Sequence, residues 1–486
     1  MSSLSRIPHE GFDGEALKSR SIVVLSDTYP PFTVGGAEIS LSVCINSLSE
    51  AERHKIVVIT NDPDQVTLTS RYSNGVMVVR MPSAADFPFE ELSLAELLSH
   101  PLRRILGVKN HTRSQIARRV LRPSERSKVL LARKEARIHP VGGMMRDHLV
   151  SSKNFNGRAY IDLIKMMDNF DVLVADNTRS ILLGAQIIDE IKPTLKSVGI
   201  VRDNRFHCPR PSQSANIEGK MCKTPCQFEC AVKDAPAAPV LRRKSLSLTH
   251  LHRQKSLNSF SKIVTTSHQL IRHLLPVVED KSKLVRIPNG FGNLEEIDKF
   301  THGRAQYYKS KLILIGMLNE NKGQIQFIKK ATQWIKSRPD VEIVLCGRGD
   351  RIASAIKSYC EKNGIAKQVK LLGFRPQEII YDEIRKAKLV IAPTVWPEPF
   401  GRVPLEAAVA GRAIVSFAVG GLNETIVDGK TGILVKPGDY STFIKKVQWM
   451  LDNPEERLDM EKKARLHVMK NYGYEKTADL FAKEVF

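Results

Sequence analysis

The sequence predicts an α/β protein with two doubly wound domains, and two observations support this fold class. Short runs of β-branched and aliphatic residues alternate with helix-length segments along most of the chain. Continuous apolar strands with helical spacers are typical of parallel sheets that helices cover on both faces. The alternation forms two series, and a chain of 486 residues is long enough to bury more than one hydrophobic core.

Ten short apolar runs are predicted to be strands. In the first series they lie at residues 22–25, 56–59, 76–79, 172–174 and 263–264. In the second series they lie at residues 312–315, 343–345, 369–372, 389–391 and 414–415. The tail from Pro454 to Phe486 is helical by pattern, with a break at Tyr472-Gly473-Tyr474.

The predicted joint between the domains lies near residues 292–310, after the turn-forming Pro288-Asn289-Gly290. Two segments do not fit the alternation of strands and helices, and we interpret both as insertions in the first domain. They span about residues 83–160, which are basic, and about residues 203–250, which are rich in cysteine. The expected units are a first domain over residues 1–295, a second domain over residues 296–470 and a carboxyl-terminal helix over residues 471–486.

The composition indicates a globular protein with an anionic partner. Lys and Arg number 74 against 52 Asp and Glu, which leaves a net charge of +22. With 42% hydrophobic and 26% charged residues, the chain is unlike a disordered protein. No apolar run approaches the length of a membrane helix, and the first 20 residues lack the apolar core of a signal peptide. We therefore expect a cytoplasmic protein that binds nucleic acid, a phosphorylated small molecule or an acidic membrane face.

The most informative segment covers residues 397–406, between a predicted buried strand and a predicted helix. Pro404 suits the first turn of that helix, where a missing N–H costs nothing. Backbone amides at such a helix start, together with the helix dipole, form a phosphate site. Glu398 precedes the helix and Glu406 lies about one turn inside it, so each carboxylate could accept hydrogen bonds from a vicinal diol. The amides expected to point out of this helix start are those around Gly401, Arg402, Val403 and Leu405.

Three glycine turns follow predicted strands. Gly35-Gly36 follows the first strand and opens a helix, and Gly420-Gly421 follows the strand at 414–415. Lys322-Gly323 follows the strand at 312–315 and could bring an ammonium group to a phosphate. Each turn alone is weak evidence of a ligand, but ligands of open α/β sheets bind at the carboxyl ends of the strands.

Taken together, these motifs resemble the retaining glycosyltransferases of the GT-B fold, of the glycosyltransferase family 4 type. The resemblance is specific over residues 310–440 and patchy in the first half of the chain. The matching pieces, in chain order, are Gly35–Glu38, Pro288-Asn289-Gly290, Gly316, Lys322-Gly323, Gly347-Arg348-Gly349, Glu398 through Glu406, Gly420–Glu424 and Asp428–Val435.

The resemblance implies two Rossmann-like domains that face each other across a cleft, with a nucleoside-diphosphate sugar bound mainly to the second domain. It implies that Glu398 contacts the donor sugar, that Glu406 contacts the ribose, and that the last helix crosses back onto the first domain. It also implies that no metal or other cofactor is required for chemistry, because positive groups stabilise the leaving diphosphate. The implied catalytic residues are Glu398, Lys322 and Arg202. The implied donor-binding residues are Gly35, Gly36, Gly316, Lys322, Phe400, Gly401, Arg402, Val403 and Glu406.

The chain departs from the family pattern at two positions. Met317 stands where the family usually carries Arg after the glycine, and Arg202-Asp203 stands where it often shows His-Asp. Arg202 could bind a phosphate or an acidic sugar, or could pair with Asp203. Because of these two departures, the sequence does not identify the donor, and it is also compatible with weakened or lost catalysis.

Four of the seven cysteines fall in one short segment: Cys208, Cys222, Cys226 and Cys230. With a spacing of four residues, an ideal helix would separate Cys222 from Cys230 by about 12 Å along its axis. That separation is too large for both thiolates to bind one ion. A compact loop could bring the four thiolates together, and such a set suits structural zinc or an iron–sulfur cluster. The alternative is a set of free thiols.

The basic insertion has twelve Lys or Arg and two acidic residues between Arg103 and Arg137, interleaved with aliphatic residues. A basic amphipathic helix is typical of an element that lies on a membrane surface. This predicts a peripheral position at the inner face of the membrane, unless the segment is a solvated helix face packed on the domain.

The leading functional hypothesis is a hexosyltransferase that moves sugar from a nucleoside-diphosphate sugar to a glycan or lipid-linked acceptor in cell-surface polysaccharide synthesis. The alternatives are a nucleotide-sugar epimerase or hydrolase of the same fold, and a non-catalytic nucleotide-sugar-binding module. We expect no nucleic-acid partner, because the chain lacks zinc-finger, RNA-recognition and helix-turn-helix signatures.

Overall fold

The structure is a computed structural model, and it contains two separate, mainly parallel β-sheets. The residues it describes are 11–27, 29–30, 36–62, 68–82, 158–167, 169–208, 250–291 and 310–485. Most of the two predicted insertions and most of the predicted joint lie outside these described residues. The two doubly wound sheets confirm the predicted fold class, whereas the domain boundaries stay predictions.

The first sheet has eight strands in the order β3-β4-β2-β1-β5-β6-β7-β8. All neighbours are parallel except β3, which pairs antiparallel with β4. The strands are β1 (Ile22–Ser26), β2 (Ile56–Asp62), β3 (Thr69–Ser73), β4 (Val76–Pro82), β5 (Val172–Asp176), β6 (Lys196–Val201), β7 (Lys262–Thr265) and β8 (Leu284–Arg286). The helices described with them are α1 (Gly14–Lys18), α2 (Gly36–Asn46), α3 (Glu50–Arg53), α4 (Arg158–Ile164), α5 (Thr178–Glu190), α6 (250–258) and α7 (His268–Leu274).

The second sheet has six strands, all parallel, in the order β11-β10-β9-β12-β13-β14. The strands are β9 (Ser310–Ile315), β10 (Val341–Cys346), β11 (Val369–Gly373), β12 (Leu389–Ala392), β13 (Ile414–Phe417) and β14 (Ile433–Val435). The helices are α8 (Gln324–Ser337), α9 (Asp350–Lys362), α10 (Gln377–Arg385), α11 (Val403–Val409), α12 (Leu422–Thr425), α13 (Tyr440–Asp452), α14 (Pro454–Tyr472) and α15 (Tyr474–Val485).

Each sheet is buried on both faces, which explains why its central strands are apolar without alternation. In β1, Val23 and Leu25 join the apolar cluster on one face, whereas Ile22 and Val24 join the cluster on the other. Successive side chains of a strand point to opposite faces, so a strand covered on both sides must be apolar at every position. β9 shows the same division in the second sheet.

All ten apolar runs predicted from the sequence lie in strands, and four strands were not predicted. β3 is an edge strand with a polar, partly exposed sequence, so it carries no apolar run. β8 and β14 have only three residues each. β6 contains Ser197 and Gly199, which interrupt its apolar pattern.

The carboxyl-terminal helices connect the two sheets. α14 follows the second sheet, and its Tyr472 carbonyl accepts a hydrogen bond of 2.7 Å from the backbone of Phe291. α15 then packs against α2, where Phe481 and Val485 are buried in the same apolar cluster as Leu41 and Ile45. Among the described residues, no helix is both long enough and apolar enough to cross a lipid bilayer.

Replacing Phe481 with Ala tests whether α15 is part of the core of the first domain. Phe481 is 3% exposed, so its truncation should cost about 3–5 kcal/mol of unfolding free energy. Denaturant unfolding measures this loss of free energy, and hydrogen exchange of the α2 amides shows whether α2 becomes less protected. The matched control is Leu466→Ala on α14, where the side chain is 67% exposed and the expected change is within about 0.5 kcal/mol. Equal stability of the two variants would contradict the packing of α15 on the first domain.

Candidate active site

The topology of the second sheet places two loops side by side. β9 pairs with both β10 and β12. From β9 the sheet continues through β10 to β11 on one side, and from β12 it continues through β13 to β14 on the other side. At such a reversal the loops after the two central strands separate and leave a crevice at the carboxyl edge of the sheet. These loops span residues 316–323 and 393–402, which contain most of the residues predicted to bind a donor.

The loop after β9 is shaped to present Lys322. Gly316 has a positive φ of 126°, and a short 3-10 turn, Glu320–Lys322, follows it. Asn319 closes that turn through a hydrogen bond of 3.0 Å from the Lys322 amide. Gly323 then has a φ of 71°, and a Cβ there would lie 2.0 Å from the carbonyl oxygen of Pro393. Only glycine permits this approach, which brings the loop after β9 against the loop after β12.

The loop after β12 is held on both sides of Glu398. On one side, the amides of Val395 and Trp396 donate to the carbonyl of Asn321 over 3.0 and 3.2 Å. On the other side, the Gly421 amide donates to the Glu398 carbonyl over 2.6 Å. A side chain at Gly420 would lie 2.3 Å from that carbonyl oxygen, so the glycine turn after β13 supports Glu398 directly.

Lys322 and Glu398 form an ion pair between these two loops. The side chains are 23% and 12% exposed, so the pair is accessible from the crevice but largely withdrawn from solvent. Thr394 Oγ1 lies 3.4 Å from the same Glu398 oxygen, and the Lys322 ammonium lies 5.2 Å from the centre of the Trp396 ring. A cation and an acceptor oxygen at one point can engage a phosphate and a sugar hydroxyl together.

Arg402 and Glu406 form a second pair at the start of α11. Arg402 Nε lies 3.7 Å from Glu406 Oε1, and the two side chains are 17% and 15% exposed. Burial raises the pKa of Glu406, while the positive charges of Arg402 and Lys322 act against that rise. Lys322 therefore acts on both glutamates, and the two pairs form one cluster of alternating charge.

Arg402 also connects the cluster to the first domain. One guanidinium nitrogen donates to Ser40 Oγ of α2 over 3.1 Å, and the guanidinium lies 5.6 Å from the ring centre of Phe291. Ser40 lies four residues, or about one helical turn, after Gly36, where α2 begins. Gly35 lies outside the described residues.

The remaining predicted residues at this helix start have structural surroundings. Gly401 has a φ of 84°, and Val403 is the first residue of α11, with Pro404 next to it. The Phe400 side chain is 3% exposed and packs edge-to-face on Tyr472 at 5.7 Å. The Phe400 side chain is therefore a core contact. These donor contacts stay predictions.

Arg202 lies in a separate cluster at the carboxyl edge of the first sheet. Its Nε and Nη2 donate to the two oxygens of Asp176 over 2.7 and 3.2 Å, and Nη1 donates to Asn289 Oδ1 over 2.6 Å. Asp176 is fully buried, which raises its pKa, and Arg202 opposes that rise. Asp203, the partner considered from the sequence, contacts Arg205 at 3.2 Å.

Sequence reasoning missed the acidic residues of this first-domain cluster. Asp176 is the last residue of β5 and Asp27 directly follows β1, the two strands between which the order of the first sheet reverses. Asp27 accepts hydrogen bonds from the amide and hydroxyl of Ser180, and burial raises its pKa to about 6. Both residues lie at the carboxyl ends of predicted strands, and this position in the sequence could have identified them as candidate site residues.

The predicted metal site stays a prediction. Cys208 is buried, while Cys222, Cys226 and Cys230 lie outside the described residues. In the part of the chain that the structure describes, no group of three or more His, Cys, Asp or Glu side chains could hold a metal ion.

The chain is similar to known proteins in sequence and in fold. Residues 299–467 match the sequence model of the family Glycosyl transferases group 1. A D-inositol 3-phosphate glycosyltransferase from Corynebacterium diphtheriae is 30% identical over 154 residues, which cover 31% of this chain and 36% of that protein. In two further curated relatives the match spans 47% and 61% of their length. The chain thus spans less than two thirds of these relatives.

Solved structures extend the similarity to both domains. HepE from Anabaena, in complex with UDP and glucose, has a TM-score of 0.59 and 15% identity, over 96% of this chain and 98% of that one. Sucrose-phosphate synthase from Thermosynechococcus elongatus has a TM-score of 0.62 and 16% identity over the same shares of the two chains. At this identity the likeness defines the fold. The chain therefore has the two-domain GT-B fold, and its segment 299–467 matches the sequence model of the glycosyl transferases group 1.

Proposed function

We propose that this protein is a retaining glycosyltransferase that moves a hexose from a nucleoside-diphosphate sugar to a glycan or lipid-linked acceptor. The observation that carries the proposal is the contact of Lys322 with Glu398 at the strand reversal of a group 1 glycosyltransferase domain. That crevice also contains the Arg402–Glu406 pair and faces α2 of the first domain.

Each member of the cluster has a role that its chemistry suits. Lys322 and Arg402 supply the positive charge that a diphosphate needs, and backbone amides near Val403 add to it. Glu398 holds hydroxyl groups of the donor sugar, and Glu406 accepts from the ribose diol. In the reaction the bond from the anomeric carbon to the diphosphate oxygen breaks, and the diphosphate leaves with the electron pair. The acceptor oxygen then bonds to the anomeric carbon on the face that the diphosphate leaves, and its proton passes to the departing diphosphate oxygen.

The proposed substrates draw on the similar proteins. HepE is solved with UDP and glucose, and the curated relatives include glycogen synthase from Mycobacterium tuberculosis. Both names support a hexose donor, and we extend the proposal to cell-surface polysaccharide synthesis on the cytoplasmic side of the membrane. The basic segment that would contact the membrane lies outside the described residues, so vesicle binding by the whole chain is the direct test of that extension.

Incubation with a panel of nucleoside-diphosphate hexoses tests the proposed reaction. We expect donor consumption that depends on an acceptor, and a product whose anomeric configuration matches that of the donor by NMR. Consumption without an acceptor would indicate a hydrolase or epimerase. Binding without consumption would indicate a non-catalytic module, and an inverted product would contradict the retaining mechanism.

Substitution of the two glutamates should separate turnover from donor binding. Glu398→Ala should lower kcat by about 100-fold or more, because an interaction with the reacting sugar is lost. Glu406→Ala should weaken the donor Kd by about 10–100-fold, the range for a hydrogen bond to a charged group. Calorimetry and initial rates measure the two effects, with the exposed Glu455→Gln on α14 as the control. Unchanged kinetics in both variants would remove this assignment.

The raised pKa of Glu406 predicts a pH dependence of donor binding. The ionised carboxylate accepts from the diol, so affinity should fall as the pH drops through a pKa higher than that of an ordinary glutamate. Arg402→Gln removes the largest opposing charge, so the fall should begin at a still higher pH. Lys463→Gln, which removes an exposed charge paired with Asp459, should leave the midpoint unchanged. Equal midpoints for wild type and Arg402→Gln in donor titrations would contradict the electrostatic link.

A further inference from the structure

The backbone on both sides of Glu398 is held by the first domain. Three successive carbonyls, of Pro397, Glu398 and Pro399, each accept a hydrogen bond from a different element. Gly421 of the second domain holds the middle one. Asn204, which follows β6, donates to the Pro397 carbonyl over 3.1 Å, and the hydroxyl of Ser267, which precedes α7, donates to the Pro399 carbonyl.

Asn204 is fixed in the orientation that this contact requires. It is 1% exposed, and its Oδ1 lies 2.8 Å from Nδ1 of His273. Nε2 of His273 lies 2.6 Å from the side-chain amide nitrogen of Gln269, so this imidazole accepts at Nε2 and donates from Nδ1 to Asn204. Burial lowers the pKa of His273 to about 4, which keeps it in that neutral form. The amide nitrogen of Asn204 is thereby directed at Pro397.

Ser267 is fixed by its place at the start of α7. Its hydroxyl oxygen accepts from the Leu270 amide over 3.1 Å while the hydroxyl donates to Pro399. The next two amides, of His268 and Gln269, donate to the carboxylate of Glu424 over 3.0 and 2.9 Å. Glu424 belongs to α12, directly after the glycine turn that holds Glu398. A carboxylate at a helix start is favourable, so α7 is bound to the same part of the second domain.

We propose that Asn204 and Ser267 are positioning residues of the first domain that set the orientation of the Glu398 carboxylate. The inference rests on the proposed function, because it concerns how Glu398 meets the donor sugar. Both side chains contact the backbone of the loop, at the carbonyls of Pro397 and Pro399, and act through it. Loss of either should therefore reduce turnover more than donor binding, since a displacement of about 1 Å at a reacting group can cost about 100-fold in rate.

Asn204→Asp is the sharpest variant, because it keeps the shape and the acceptor for His273 but loses the donor to Pro397. We expect kcat to fall by about 10–100-fold, with the donor Kd changed by less than about threefold. The matched control is Asn258→Asp. The side-chain amide nitrogen of Asn258 also donates to backbone carbonyls, those of Gln254 and Val277 over 2.9 and 3.1 Å, but both lie within the first domain. Its kcat should stay within about twofold of wild type.

Ser267→Ala gives a second test that adds no buried charge. It removes the hydrogen bond to Pro399 and a helix cap, so Ser49→Ala, which removes the cap of α3 alone, controls for lost capping. Ser267→Thr retains the hydroxyl and should restore turnover to within about threefold of wild type. A normal kcat in Ser267→Ala and Asn204→Asp would overturn the proposal.

Hydrogen exchange keeps this inference distinguishable from the proposed function. Amides of residues 393–402 should exchange at least about tenfold faster in Asn204→Asp and Ser267→Ala, and at the wild-type rate in the two controls. If wild type consumes no donor, the proposed function fails, and the exchange rates still decide whether the first domain holds the loop. Unchanged exchange together with normal turnover would leave the proposed function intact and refute the positioning role.

Discussion

The contact between Lys322 and Glu398 depends on one constraint, the reversal of strand order between β9 and β12. Because neighbouring parallel strands end at the same edge, the loops that follow them begin side by side and then diverge. Gly323 lets the first loop approach the second, and the turn at Gly420 supports the second loop from the opposite side. An added Cβ at either glycine would meet a backbone atom, so the charge pair is the product of backbone geometry as much as of side-chain chemistry.

The candidate site is built by two domains. Arg402 reaches Ser40 of α2, Glu424 closes the start of α7, and Asn204 holds the carbonyl before Glu398. These contacts are polar and specific, unlike the apolar packing that stabilises each sheet. A loop held by polar contacts from another domain can be released at lower cost than a core element, which is the property expected of groups that must admit and release a ligand.

Buried charge is distributed unevenly between the two sheet edges. In the second domain, two cations and two carboxylates alternate, and each remains partly accessible. In the first domain, Asp176 is fully buried and both of its oxygens are engaged by Arg202, whose third contact is Asn289. A buried carboxylate that lost its partner would be strongly destabilising, so this pair has a structural role beside any role in catalysis. The strand ends of the second domain therefore carry partly accessible charges, whereas those of the first domain carry a buried ion pair.

The sequence by itself determined the fold class, ten of the fourteen strands described here and the loops that carry Lys322, Glu398 and Glu406. It could do so because these features depend on local signals: continuous apolar runs, glycine turns and the start of a helix. Only the tertiary structure decided that Lys322 pairs with Glu398, that Arg202 pairs with Asp176 and that Asn204 reaches Pro397. The residues of those pairs are separated by 76, 26 and 193 positions in the chain, so no local pattern specifies them. Contacts of this kind arise when the sheets order their strands and the domains meet, and that information resides in the packing of the whole chain.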